Sequence, residues 1–239
     1  MFYLYRSVLH DTCTFVASNN LMWLVHFEAV HFVVKAWLVE TEKYYDPDWR
    51  DRWFEKWNGV DVEGIIEQSD YGPADESTLA RATFYQPIPV RYLARILRQA
   101  RRSTPRLMHF IDVGCGKGKA CVYMGLKGGF ERITGLEFAP RLVSAARANM
   151  RRAGLIQSDI IETDARDYAL PAAPTLVFLF NPFDAAALDY FIQKNLFHFQ
   201  QQRSLIAYAF DVRREVLRNA GFREIRRDAS TRLSFHQMP

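Results

Sequence analysis

From Leu107 to the C-terminus, short apolar runs alternate with stretches whose apolar residues recur at helical spacing. Leu107 to Val113 reads as an apolar strand, Lys119 to Leu126 as a helix, Arg132 to Leu136 as a strand and Pro140 to Ala153 as a long helix. Asp159 to Glu162, Leu176 to Phe180 and Leu205 to Phe210 are further strands. Ala185 to Phe199 and Val212 to Asn219 are helical, and Gly221 ends the second of them. Apolar strands separated by helices predict a parallel sheet covered on both faces. The chain ends differently: Phe222 to Arg227 and Arg232 to His236 are strands in succession, joined through Asp228 to Thr231 as in a hairpin. The expected fold class is therefore α/β, a seven-stranded, mostly parallel sheet with one antiparallel strand. A helical N-terminal extension and lid, residues 1–105, precedes the ligand-binding domain, residues 106–239.

Within the extension, Trp49, Trp53 and Trp57 recur every fourth residue and share one helix face. Three such indoles read as core rather than as a ligand box. Asn58-Gly59 stops that helix, Ser69 to Glu76 is a loop, and a further helix runs from about Pro89 to Arg102 with Leu93, Ile96 and Leu97 on its apolar side. Leu21 to Val39 is strongly apolar and approaches the ~20 residues that a bilayer span needs. It carries His26, Glu28, His31 and Lys35, of which the last three form one polar stripe. A helix packed against protein, or against a second copy in an oligomer, suits that stripe best. A helix lying on a membrane comes next, and a span last, because a central Glu is costly in lipid. No basic cluster precedes the run and no small-residue cleavage site follows it, so it does not read as a secretory signal.

Composition changes this picture little. The 239 residues are 49% hydrophobic and 24% charged, ordinary for a globular chain. The net charge of +4 permits an acidic partner without requiring one. Arg91, Arg95, Arg98, Arg101, Arg102 and Arg106 read as a solvated helix face, so a nucleic-acid partner is not indicated. Cys13, Cys115 and Cys121 lack CxxC spacing, and His26 and His31 stand off a common helical line, so no metal site is expected. A reducing, cytoplasmic compartment fits three scattered cysteines.

The chemistry concentrates at Phe110-Ile111-Asp112-Val113-Gly114-Cys115-Gly116-Lys117-Gly118, a strand that runs into glycines before a helix. Such a turn needs positive φ, and a ligand resting on backbone leaves no room for Cβ. A dinucleotide fingerprint would be GxGxxG, but Lys119 stands where its third glycine belongs. A phosphate-cradling loop would need Ser or Thr after Gly116-Lys117, and Gly118 is there instead. Glu137, at the end of the second strand, is placed to accept ribose hydroxyls.

The resulting DxGxGxG run resembles the first motif of class I S-adenosylmethionine-dependent methyltransferases. Gly135-Leu136-Glu137 is similar to their ribose-binding strand end, and Thr163-Asp164-Ala165 to the motif after strand three. Asn181-Pro182-Phe183 is similar to a shortened Asn-Pro-Pro-aromatic motif of amine methylators. With Tyr85-Gln86-Pro87 and Phe138-Ala139-Pro140, the run resembles bacterial relatives of the non-SET histone-lysine methyltransferases. The resemblance implies a Rossmann-like fold and S-adenosyl-L-methionine as cofactor. It implies cofactor contacts at Asp112, Gly114, Cys115, Gly116, Gly118, Glu137, Phe138, Asp164, Ala165 and Asn181. Asp164 would take the adenine amino group. Asn181, Pro182 and Phe183 would serve the transfer itself: the Asn181 side-chain oxygen and the Pro182 carbonyl accept the hydrogens of a neutral amine, and Phe183 packs against it. Tyr71 and Tyr85 are weaker candidates for closing the site from the N-terminal side. The methyl acceptor is expected to be a protein lysine or other amine. The alternative is a non-catalytic cofactor-binding or scaffold protein on the same fold.

Overall fold

The computed structural model describes residues 47–73, 76–104, 107–156 and 158–239. The readings for Cys13, Leu21 to Val39 and Arg106 lie outside the described residues. Seven strands form one sheet: β1 (His109–Val113), β2 (Arg132–Glu137), β3 (Asp159–Glu162), β4 (Thr175–Phe180), β5 (Leu205–Ala209), β6 (Arg223–Asp228) and β7 (Leu233–Gln237). Their order is β3-β2-β1-β4-β5-β7-β6. β1 to β5 pair in parallel, and β7 runs antiparallel to both β5 and β6. This is the mostly parallel, Rossmann-like sheet that the alternating pattern predicts, with its single antiparallel strand supplied by the C-terminal hairpin.

The helices of the described residues are α1 (Trp49–Asn58), α2 (Glu76–Leu79), α3 (Val90–Ser103), α4 (Lys119–Lys127), α5 (Pro140–Arg152), α6 (Ala185–Lys194), α7 (Leu196–Gln201) and α8 (Arg214–Asn219). Successive strand residues point to opposite faces. Phe110, Ile133, Leu176 and Phe178 therefore pack on one side with Leu93 and Ile96 of α3 and Met124 of α4. Ile111, Val113, Val177 and Leu179 pack on the other with Leu188 and Phe191 of α6. Both faces are buried, which is why these strands carry almost no polar residue. Edge strand β6 instead alternates Arg223, Glu224, Arg226 and Arg227, charges that discourage pairing with another chain.

Two expectations change. The helix expected from Ala185 to Phe199 is broken at Asn195. The buried Asn195 side chain accepts from Leu170 N at 2.8 Å and donates to Tyr168 O at 3.2 Å and Phe191 O at 3.0 Å. A side chain that satisfies loop backbone in this way competes with helix continuation. The tryptophan face is also not core: Trp49, Trp53 and Trp57 are 58%, 59% and 79% exposed. α1 turns Asp51 and Phe54 inward instead. Asp51 meets Lys119 and the backbone of Val90, and Phe54 packs against Tyr123. A buried carboxylate thus sets the rotation of the helix, which hydrophobic periodicity does not register.

Residues 44–239 form one compact unit, so α1 to α3 and the sheet share a body. Among the described residues, no helix is long and apolar enough to cross a membrane. The strand order reverses between β1 and β4, and a crevice opens there at the C-terminal strand ends.

Candidate functional site

β1 delivers Asp112 and then Gly114-Cys115-Gly116 to that crevice, and all four line one cavity with Glu137, Phe138, Asp164, Ala165, Pro182 and Phe183. Two glycines are sterically required. Gly114 has φ 76°, and a Cβ there would lie 2.7 Å from the Pro182 Cβ. Gly116 has φ 55°, and a Cβ there would lie 2.1 Å from Tyr85 Cε2. The Tyr85 ring thus rests on bare backbone. It is held by its hydroxyl, which donates to Val62 O at 2.6 Å.

Glu137 is buried at the end of β2. Its Oε2 accepts from Gly116 N at 2.9 Å, and Oε1 accepts from Phe138 N and Ala139 N at 3.0 Å each. The carboxylate thereby ties the glycine loop to the β2 strand end. Burial raises its pKa above the ordinary carboxylate value, opposed by the three N–H donors. Asp112, also buried, is pushed up to about 8 by desolvation. The Cys121 thiol donates to it at 3.7 Å, and among the described residues no ion pair reaches it. Cys115 and Cys121 are buried free thiols, both with raised pKa.

After β3, Asp164 accepts from Arg166 N and caps the turn Ala165–Asp167. Its carboxylate is gripped by the Arg166 guanidinium, at 2.6 Å to Nη2, and by Thr78 Oγ1 at 2.8 Å. Desolvation would raise its pKa, but the Arg166 and Thr78 hydrogen bonds outweigh it and the pKa is lowered. Asp164 lines the cavity, but its carboxylate meets Arg166 rather than standing ready for an adenine amino group. Arg166, two residues on, was a readable signal for that pairing.

Beyond β4, the backbone of Asn181 adopts φ 43°, a left-handed conformation that Asn tolerates better than most residues. Its side chain turns away from the cavity lining. Asn181 Oδ1 accepts from Arg213 Nη1, and the Tyr208 hydroxyl stands 3.5 Å from it. The Pro182 carbonyl accepts from Thr83 N at 3.2 Å, and Thr83 Oγ1 donates to Asn181 O at 2.9 Å. The two acceptors assigned to an amine are therefore engaged, one by β5-side residues and the other by the N-terminal segment. Gly118 also stands outside the lining: with φ 81° it is the N-cap of α4.

The segment that engages Pro182 was only partly legible in the sequence. Residues 81–85 cross the end of β4, with Ala82 bridged to Phe183 and Arg81 paired with Asp184 at 3.0 Å. Tyr71 donates to Thr83 O at 2.7 Å and meets Phe138 edge-on at 5.8 Å. Tyr71, Thr78, Thr83 and Tyr85 all line the cavity. Lys119 is buried with its ammonium 2.7 Å from Asp51 Oδ1 and against Glu63 Oε1. The residue that breaks the dinucleotide pattern anchors the N-terminal segment to the glycine loop.

A family model described as a methyltransferase domain matches residues 110–221. This stretch matches a methyltransferase domain. S-adenosylmethionine is the cofactor that a methyltransferase domain implies. The bare Gly114 and Gly116 backbone lets Pro182 and Tyr85 close in on the loop, Asp112 and Glu137 bring two buried carboxyl groups to the cavity, and Phe138 and Ala165 supply apolar walls. No curated protein matches the chain. Among solved structures it is similar to the magnesium protoporphyrin IX methyltransferase of Synechocystis PCC 6803 with bound S-adenosylmethionine. That similarity has 10% identity and a TM-score of 0.49 over 62% of this chain and 79% of that one. It is also similar to the ribosomal protein L11 methylase of Lactobacillus delbrueckii subsp. bulgaricus, at 13% identity and a TM-score of 0.47 over 65% and 90%.

Proposed function

We propose that this chain is an S-adenosylmethionine-dependent methyltransferase whose acceptor is an amine, with protein lysine as the first to test. The observation that carries the cofactor reading is the meeting of Gly114 and Gly116 with buried Asp112 and Glu137 in one cavity. When bound, the cofactor supplies a methyl group on a sulfonium, already a good leaving group. What remains for the protein is alignment and exclusion of water. Glu137 and the glycine loop would hold the nucleoside, Asp112 would face the cationic end, and Tyr85 covers the loop from the N-terminal side. Pro182 and Phe183, just past the end of β4, line the cavity where an acceptor would meet it.

The Asn181-Pro182-Phe183 run supports an amine. For Asn181 to orient one, Arg213 must release its side-chain oxygen, because a carbonyl has only two lone pairs and Arg213 and Tyr208 both address it. That engagement favours a second reading, cofactor binding without transfer. Calorimetry with S-adenosylmethionine, followed by radiolabelled transfer to fractionated lysate treated with protease or nuclease, separates the two. Label that protease removes and that survives nuclease supports a protein acceptor. Binding with no transfer to any fraction supports the second reading, and no binding overturns both.

A further inference from the structure

The tryptophan face of α1 lies outside the cavity lining. Its three indoles lie along about 12 Å of helix, at 1.5 Å rise per residue. They stay exposed, with Trp53 and Trp57 6.1 Å apart. The basic residues of α1 share its outer surface. Arg50 stacks over Trp49 at 4.8 Å, and Arg52 and Lys56 are exposed. The acidic residues are drawn elsewhere. Asp51 is buried beside Lys119, Glu55 accepts from Val62 N and Glu63 N, and Asp48 is taken by Arg50 and Arg91. The outer surface of α1 is therefore aromatic and cationic. Neighbouring α3 exposes Arg98, Arg101 and Arg102 as well. Shortly upstream, the sequence carries the apolar run Leu21 to Val39.

We propose that α1 lays its tryptophan face on an anionic membrane surface. Indoles favour the headgroup level, where the ring is shielded and the N–H stays wet. Arg and Lys beside them meet anionic headgroups, as in amphipathic helices lying in the interface. A second copy would set Arg52 and Lys56 against their own kind. The apolar run upstream points to lipid over nucleic acid. The proposal is independent of the methyl-transfer reading.

The test uses the full chain and flotation with phosphatidylcholine vesicles, with and without phosphatidylglycerol. The wild type is expected to float with the anionic vesicles and less with the neutral ones. Trp53→Ser/Trp57→Ser and Arg52→Glu/Lys56→Glu should each lower the bound fraction about tenfold or more, with melting temperature unchanged. Variants that float like the wild type would assign binding to the upstream run and overturn the proposal. So would a wild type that stays unbound, whether it forms a dimer lost in Trp53→Ser/Trp57→Ser or retains an RNA oligomer through the same face.

Discussion

The Lys119 ammonium lies 2.7 Å from Asp51 Oδ1, with both side chains buried and 68 positions apart in the chain. Asp51 in turn accepts from Val90 N at 2.8 Å and Asp48 N at 2.9 Å. One ion pair thus fixes α1, the start of α3 and the helix after the glycine loop together. Lys119→Met should cost about 3–5 kcal/mol of unfolding free energy, because it leaves Asp51 buried without its cation. Urea unfolding would read this, and a loss below about 1 kcal/mol, the range of exposed pairs, would contradict an anchoring role.

Gly116 is the second point of dependence. A valine there would meet the Tyr85 ring and strain a left-handed backbone. Gly116→Val should abolish S-adenosylmethionine binding in calorimetry while the sheet still folds. Tyr85→Phe keeps the ring but loses the bond to Val62 O, and should cost about 1–2 kcal/mol of stability. Unchanged affinity in Gly116→Val would remove the loop from the binding site.

Glu137 joins the loop to the β2 strand end through three backbone N–H groups. Glu137→Ala should weaken cofactor binding by about 1–3 kcal/mol, the scale of hydrogen bonds to a charged group. Equal affinity for the two proteins would show that the carboxylate holds only its own backbone.

Asp112 gives a pH signature. In the fold it keeps its proton up to about pH 8, against 3.8 ordinarily. Between those values the native state binds more protons than the unfolded chain, so this group's contribution to stability falls as pH rises. Asparagine does not titrate. The melting temperature of Asp112→Asn, relative to wild type and without cofactor, should therefore climb steadily from pH 5 to pH 8. A difference that stays flat would mean that the carboxyl ionises normally.

Asn181→Ala should leave cofactor affinity unchanged, since its side chain points to Arg213 and not into the cavity. If Asn181 aims the acceptor, turnover is lost. If it only ends the strand, turnover survives, and Arg213→Ala should be equally mild.

The order of elements from β1 onward was legible in the sequence because each strand is buried on both faces and each helix on one, so burial writes itself as periodicity. The glycine run was legible because positive φ restricts residue choice at a tight turn. The sequence by itself determined the sheet, the hairpin and the loop that carries the cavity. Only the tertiary structure decided what the polar groups do. Asn181 faces Arg213, Lys119 reaches Asp51, and Trp49, Trp53 and Trp57 face outward. Hydrogen bonds and ion pairs are directional and join residues distant along the chain. Their partners are set by how the elements pack, and local spacing carries no record of it.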